Sequence, residues 1–595
     1  MKKQVSAWIQ KFSIDRTAVF GAIFFDLLYC LGMLANDRLI TRNRFFDGSG
    51  MGGLLFVGLL FFVLGYFLLK KCFLYIERSQ TQRLFIQTSL LETLKVFFFH
   101  YWVLFLLAWL PYWLMRFPGN LDPDTFWQIL QPYGLMAASD HHPWFDTMLF
   151  YKFWRIGDFL GSNLWSVAIY AWLQMAATAA AFSLFLCYIK AQGVRPRVIR
   201  TATFFYALFP VIPLFAQTMA KDMLNGWIFV LFFLSVIECV RSRGAILKSL
   251  RFCGILLILS FLMALTKKVG IYIVVVSLFG VFCYCSNGHR RILWIMFFYL
   301  VFFCGLWSHV VLPMWGVASG EQKEMLSIPS QQVACLIQRE PRALSENDWQ
   351  IIQGVYQKPR AMAQDYNPLR ADATKSHWKK NASNTDRINF VKWYLKAWTR
   401  FPKTFCLSLA ANDYGLLSVD ATCQGDESLI YYRNNLPNQN GGYASEKIYA
   451  RWSNGKASIS QVHQIFKRAY RSIKVQRWAD AFDMMLLHVE NAAAVLFSKV
   501  LFATWLPFAL VFYAIRSRRW NILIALIPVL LTTLTLSVGP VILPRYMVCS
   551  VYVAPIIFSL PFLLEKQEVS VATDQEFASD GCHRNRRKDN NCAKD

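Results

Sequence analysis

Asp122 and Asp124 stand two residues apart in LDPDTFWQIL, and His141 and His142 follow in SDHHPWFD. Three short stretches between apolar runs carry further ionisable groups: Lys221–Asp222, Lys267–Lys268, and Arg545–Tyr546 in GPVILPRYMV. A carboxylate at a membrane surface can take a proton from an attacking hydroxyl. A guanidinium offers a planar fork matched to phosphate oxygens, and an ammonium adds a point charge. Together these residue types suit a reaction in which a hydroxyl attacks and a phosphate leaves.

Each group also has a plain structural reading. Asp122 before Pro123 is a helix N-cap, and Asp124 is an acid in the first turn. Phe126, Trp127, Ile129, Leu130 and Tyr133 then form one apolar face. A helix start needs its cap but only tolerates a first-turn acid, so Asp124 is the aspartate that helix punctuation leaves free. His141 and His142 precede Pro143, which again opens a helix. Neighbouring side chains diverge, so joint metal ligation ranks below hydrogen bonding and below contact with a phosphate or an acceptor. Lys221–Asp222 and Lys267–Lys268 also suit interface anchoring. Asp26 is a lone carboxylate well inside the first apolar run, away from the others.

These groups must be held by lipid-embedded elements. The 595 residues are 56% hydrophobic and 16% aromatic, with a net charge of +26 and a mean hydropathy of +0.34. A dozen apolar runs exclude a nucleic-acid-binding protein as the source of that charge, and basic cytoplasmic loops explain it. The runs lie near 18–35, 51–70, 96–115, 164–189, 201–217, 223–240, 252–266, 269–286, 292–315, 493–515, 520–538 and 546–564. About 20 residues cross a bilayer. Lys267 and Lys268 split the stretch 252–286 into two short helices. The segment 141–160 carries Asp146, Lys152, Arg155 and Asp158 and is read as lying flat in the interface. With it flat, the basic loops 70–95, 190–200, 241–251, 286–291 and 516–519 share the side of the basic N-terminus. Asp124, Asp222 and Arg545 then share the other side, where a lone Arg runs against the positive-inside bias.

The expected architecture is an all-α polytopic membrane protein of about twelve transmembrane helices with both termini cytoplasmic. Residues 1–95 form two extra spans and a basic loop. Residues 96–315 form a membrane core with outer loop 116–163, and 316–492 a mainly α extracytoplasmic domain with helices near 345–365, 384–402 and 460–490. Three spans follow in 493–564, then a disordered cytoplasmic tail, 565–595. Most cysteines sit in apolar runs as small apolar side chains. Cys335, Cys406 and Cys423 in the polar segment leave room for one disulfide.

The stretches PGNLDPDTFWQ (118–128), HHPWFDTMLF (141–150), the pair Lys221–Asp222, EMLSIPSQQ (324–332) and LPRYMV (543–548) resemble the GT-C class of integral-membrane glycosyltransferases. More narrowly, they resemble a bacterial multipass group near that class, across roughly 96–564. The resemblance implies transfer of a sugar from a polyprenyl-phosphate donor to an acceptor hydroxyl, a cell-envelope glycan or lipid, on the extracytoplasmic face of the bacterial cytoplasmic membrane. It assigns the catalytic acid of the first outer loop to Asp124, followed by Thr125, with Asp122 as an extra carboxylate and Asp222 as the acid of the second outer turn. Arg545, Lys221 and Lys268 are the nearest fits for the donor phosphate. His141, His142 and Tyr546 are left as donor or acceptor contacts.

The resemblance also implies a single displacement with inversion at the anomeric carbon. Metal dependence varies within the class, and the sequence offers no ligand set for a divalent ion or another cofactor. A polymerase or ligase of lipid-linked glycans, and a transporter or flippase, remain the rival readings. A transporter favours polar groups at the bilayer midplane and inverted repeats.

Overall fold

The computed structural model describes residues 14–44, 46, 50–80, 88–320, 322–419, 429 and 445–564. The expected tail 565–595, Cys423 and part of the first basic loop lie outside them. Eight helices among the described residues are long and apolar enough to cross a membrane: Arg16–Ile40, Met51–Ser79, Leu90–Met115, Asn163–Ala191, Lys221–Arg241, His289–Met314, Trp520–Ser537 and Pro544–Leu563. Leu250–Thr266, Gly270–Tyr284 and Leu501–Arg516 are shorter apolar helices. The chain is an all-α multipass membrane protein.

One expected element takes another form. The run 201–217 does not give one continuous helix but Pro196–Leu208 followed by Val211–Ala216. Pro210 and Pro213 remove backbone donors and force the break. The segment 141–160 forms one helix, Trp144–Phe159, that packs on Asn163–Ala191. It buries Trp144, Asp146, Phe150 and Trp154, while Lys152 and Arg155 are exposed.

The central core is carried by Lys221–Arg241, Asn163–Ala191 and the last helix. Phe182 stacks on Tyr206 with ring centroids 3.8 Å apart, and the Tyr206 hydroxyl donates to the Tyr552 carbonyl at 2.8 Å. Gly226 lets the last helix approach closely, since a Cβ there would lie 2.7 Å from Val548 Cγ2. At the ends of these helices, loops distant in sequence meet. Thr88 N donates to Ala191 O at 3.0 Å and Asn287 N to Arg243 O at 3.3 Å, and Arg516 pairs with Asp15 and Glu77. Several of the basic loops are thus in contact with one another.

A second cluster of buried side chains lies within 333–417 and takes in Ala35 and Leu39 from the first helix. Its main helices are Ser327–Arg339, Glu346–Val355, Asn384–Arg400 and Pro402–Asn412. Cys335 and Cys406 are free thiols.

Candidate functional site

The first site residues are placed by a minimal parallel sheet. Strand β1 (Asn120–Leu121) pairs with β2 (Thr218–Met219), Asn120 opposite Thr218. Gly119, at φ +131°, permits the approach: a Cβ there would lie 2.9 Å from the Gln217 carbonyl oxygen. Gln174 Nε2 donates to the carbonyls of Ala216 (2.9 Å) and Thr218 (2.8 Å), and Thr125 Oγ1 to that of Met219 (2.7 Å). Arg471 Nη2 holds the carbonyls of Arg116 and Gly119 at 2.6 Å each. Asp122 leaves β1 as the N-cap of Pro123–Leu130, accepting from Asp124 N at 2.9 Å. Lys221 and Asp222 leave β2 as the first turn of Lys221–Arg241.

Arg545 is the centre on which these groups meet. Its Nη1 pairs with Asp122 Oδ1. Its Nη2 lies 2.7 Å from Asp124 Oδ2 and its Nε 3.8 Å from Asp222 Oδ2. Lys221 Nζ is 3.6 Å from Asp124 Oδ2, and Lys267 Nζ is 2.8 Å from Asp222 Oδ1. The Tyr546 hydroxyl accepts from Arg545 Nη2 at 3.3 Å, and its ring lies 5.2 Å from Lys267 Nζ. Three carboxylates therefore face three cations. Such balance is what lets buried charges persist at all.

The carboxylates differ in access. Asp222 is 1% exposed and Asp124 28%, while Asp122 is buried. Burial works against the charge on Asp124, but Arg545, followed by His142 and Lys221, outweighs it and holds the carboxyl far below the usual carboxylate range. Lys221 Nζ donates to His142 Nδ1. Burial, with Lys221 behind it, holds the His142 imidazole well below its ordinary value and so neutral. Its proton then sits on Nε2, 3.8 Å from Asp124 Oδ2. His141 is also depressed by burial first and Lys221 second. Trp127 packs on both histidines, with centroids at 5.3 and 5.1 Å.

The structure thus brings Asp122, Asp124, Asp222, Arg545, Lys221, His142 and Tyr546 into one cluster, with His141 against it. Lys268 stands at the rim, 42% exposed and 2.8 Å from Asp140 Oδ2. Lys267 takes the inward position on Asp222. Asp26 is elsewhere, accepting from Cys30 Sγ at 3.6 Å.

Several positioning groups escaped the sequence reading. Asn225 follows Asp222 by one helical turn, a spacing that puts both on one face. It donates to Thr266 Oγ1 at 2.8 Å and accepts from Cys549 Sγ at 3.5 Å. It thereby joins the helices that bring Asp222, Lys267 and Arg545. The turn before Arg545 is held by three donors: Ala371 N to Pro540 O (2.8 Å), Asn412 Nδ2 to Gly539 O (3.3 Å) and Lys499 Nζ to Ile542 O (2.9 Å). Asp146 is fully buried, and neither carboxyl oxygen has a hydrogen-bond partner among the described residues. Burial holds its carboxyl well above the usual carboxylate range. Among the described residues no three His, Cys, Asp or Glu side chains gather as a metal site. The cluster can hold an anion on Arg545, Lys221 and Lys267, and it can accept a proton at Asp124.

Residues 130–576 match the sequence profile of DUF6020, a family of unknown function. The chain belongs to this family. The stretch matched to DUF6020 carries His141, His142, Lys221, Asp222, Lys267 and Arg545, whereas Asp122 and Asp124 lie shortly before it. No curated protein and no solved structure matches the chain.

Proposed function

We propose that the protein is an integral-membrane glycosyltransferase. It moves a sugar from a polyprenyl-phosphate donor to an acceptor hydroxyl on a cell-envelope glycan or lipid, at the extracytoplasmic surface of a bacterial cytoplasmic membrane. The observation that carries this reading is the 2.7 Å contact between Arg545 Nη2 and Asp124 Oδ2, with Lys221 beside both. A phosphate-binding fork and a partly exposed carboxylate share one site at the ends of membrane helices. That placement at helix ends also favours a transferase over a transporter.

The chemistry follows from competition for the cations. In the resting site Asp124 is a weak base because Arg545 and Lys221 stabilise its charge. The donor's phosphate is an anion of the kind those groups prefer. When it engages Arg545 Nη2 and Lys221 Nζ, they leave Asp124 and its proton affinity rises. Asp124 then accepts the hydroxyl proton as the hydroxyl oxygen bonds to the anomeric carbon. The bond from that carbon to the phosphate oxygen breaks, and its electron pair goes to the lipid phosphate. Arg545 and Lys221 stabilise the charge that grows there. Asp122 and Asp222 stay buried and keep the guanidinium oriented. Attack and departure on opposite faces invert the anomeric centre.

Binding and transfer are measured separately. Purified protein should retain farnesyl phosphate in native mass spectrometry, and Arg545→Gln should lose it while Lys152→Gln does not. Equal retention by Arg545→Gln would remove the phosphate seat from Arg545.

A further inference from the structure

A concavity lies in the 327–364 region, built by the Ser327–Arg339 helix, the turn Pro341–Ala343, and the helices Glu346–Val355 and Pro359–Gln364. They enclose an open cavity of about 450 Å3 whose walls include Ile337, Trp349, Arg342, Arg360 and Gln364. The volume is in the range that holds a small ligand, roughly 300–1,000 Å3. The Arg360 guanidinium lies over the Trp349 ring at 5.6 Å. Arg42, from the end of the first membrane helix, reaches the rim by donating to Gln338 Oε1 at 3.4 Å. None of these three arginines forms an ion pair among the described residues, although the acids nearby are engaged. Asp348 takes Arg400, Asp365 takes His377 and Glu340 takes Thr404.

The lining has a chemical meaning. Arg42, Arg342 and Arg360 are exposed, and guanidinium groups without acidic partners around a concave surface can receive an anion. A bare phosphate needs no indole, isoleucine or amide beside it. A sugar acid does: its ring face packs on apolar and aromatic side chains, its hydroxyls meet an amide such as that of Gln364, and its acid meets arginine. The position fits as well. Ala318 N donates to Ala138 O at 3.1 Å and Asp140 N to Ala318 O at 2.8 Å, so the chain enters this region beside the His141–His142 loop. From Ser327 to Ile337 the helix then rises about 15 Å at 1.5 Å per residue. A linear polymer can span that length.

We propose that this cavity binds an acidic sugar unit, and that it holds the acceptor glycan at a distance from the Asp124–Arg545 cluster. The acceptor role rests on the transferase reading, whereas the binding does not. The test uses full-length protein in phosphatidylcholine nanodiscs, titrated calorimetrically with trigalacturonic acid, with maltotriose as the neutral match and glycerol 3-phosphate as the bare anion. Trigalacturonic acid should bind at least tenfold more tightly than either control. Arg342→Gln/Arg360→Gln and, separately, Trp349→Ala should each weaken it at least tenfold, with unchanged elution on size exclusion. Three results overturn the proposal: no binding of trigalacturonic acid, equal binding by glycerol 3-phosphate, or loss of saccharide binding when the discs contain phosphatidylglycerol, which would put a lipid headgroup in the cavity. No sugar donor is present in this titration. Failure of transfer therefore removes the acceptor role and leaves the acidic-sugar binding standing, and failure of binding leaves the transfer reaction standing.

Discussion

One oxygen of Asp122 serves two partners: Oδ1 accepts from Asp124 N at 2.9 Å and pairs with Arg545, 423 residues away in sequence. The helix cap and the buried ion pair are a single feature. The local reading of Asp122 as a cap is correct and incomplete, because the cap also fixes the guanidinium that Asp124 shares.

Loss of Asp122 should therefore cost more than a cap. Asp122→Ala removes a cap worth about 1 kcal/mol and leaves Arg545 short of a buried partner, at about 3–5 kcal/mol. Asp122→Asn keeps a cap acceptor and should fall between Ala and wild type. Asp124→Ala, at a more exposed position, should unfold later than Asp122→Ala. Thermal unfolding of the purified protein in detergent reads the order, and equal midpoints for the two alanine variants would contradict it.

The adjacent lysines should behave differently. Lys267→Met strands Asp222 without its ammonium and should lose about 3–5 kcal/mol. Lys268→Met breaks a partly exposed pair and should change stability by no more than about 1 kcal/mol. Asp222→Asn combined with Lys267→Met should be less damaging than Lys267→Met alone, since the buried charge is gone. A double-mutant cycle measures this coupling, and strict additivity would count against the pair.

Competition at Arg545 makes an unusual prediction for Asp124. Asp124→Asn removes the anion that occupies the phosphate seat, so farnesyl phosphate should bind several-fold more tightly than to wild type, by calorimetry. Weaker binding would show that Asp124 holds the ligand rather than competing with it.

Asp413 gives a pH dependence. Burial pushes its carboxyl up to about 7, although Ser537 and Asn412 donate to it. Unfolded, it titrates near 3.9. Between about pH 4 and 7 the native state binds the extra proton, so stability is full below that window and falls as pH rises through it. The loss is on the order of 4 kcal/mol at most. Asp413→Asn should raise the unfolding midpoint more at pH 8 than at pH 5, and an equal shift at both would refute the assignment.

Much of this was legible from local pattern. Apolar runs located the long helices, Pro123 and Asp122 located a helix start, and a lone arginine between late runs pointed to Arg545. Three things were not legible, each for a physical reason. Which of Lys267 and Lys268 turns inward depends on the backbone as the helix ends: Lys267 leaves it extended, at φ −154°. The break at Pro210 was masked by the hydrophobicity of its neighbours. Asp146 counted as a surface charge in an amphipathic segment, yet its side of the helix faces the core and its carboxyl is fully buried there. Asn225 could have been found from its one-turn spacing to Asp222, since a polar side chain on that face of an apolar helix must meet a partner.

The most direct measurement mixes purified protein with a set of polyprenyl-phosphate hexoses and pentoses and a cell-envelope acceptor extract, and follows released polyprenyl phosphate over time. Wild type should release it from at least one donor, only with acceptor present. Asp124→Asn, folded and binding farnesyl phosphate, should release none. Release from no donor by wild type, or undiminished release by Asp124→Asn, would contradict a transferase whose base is Asp124.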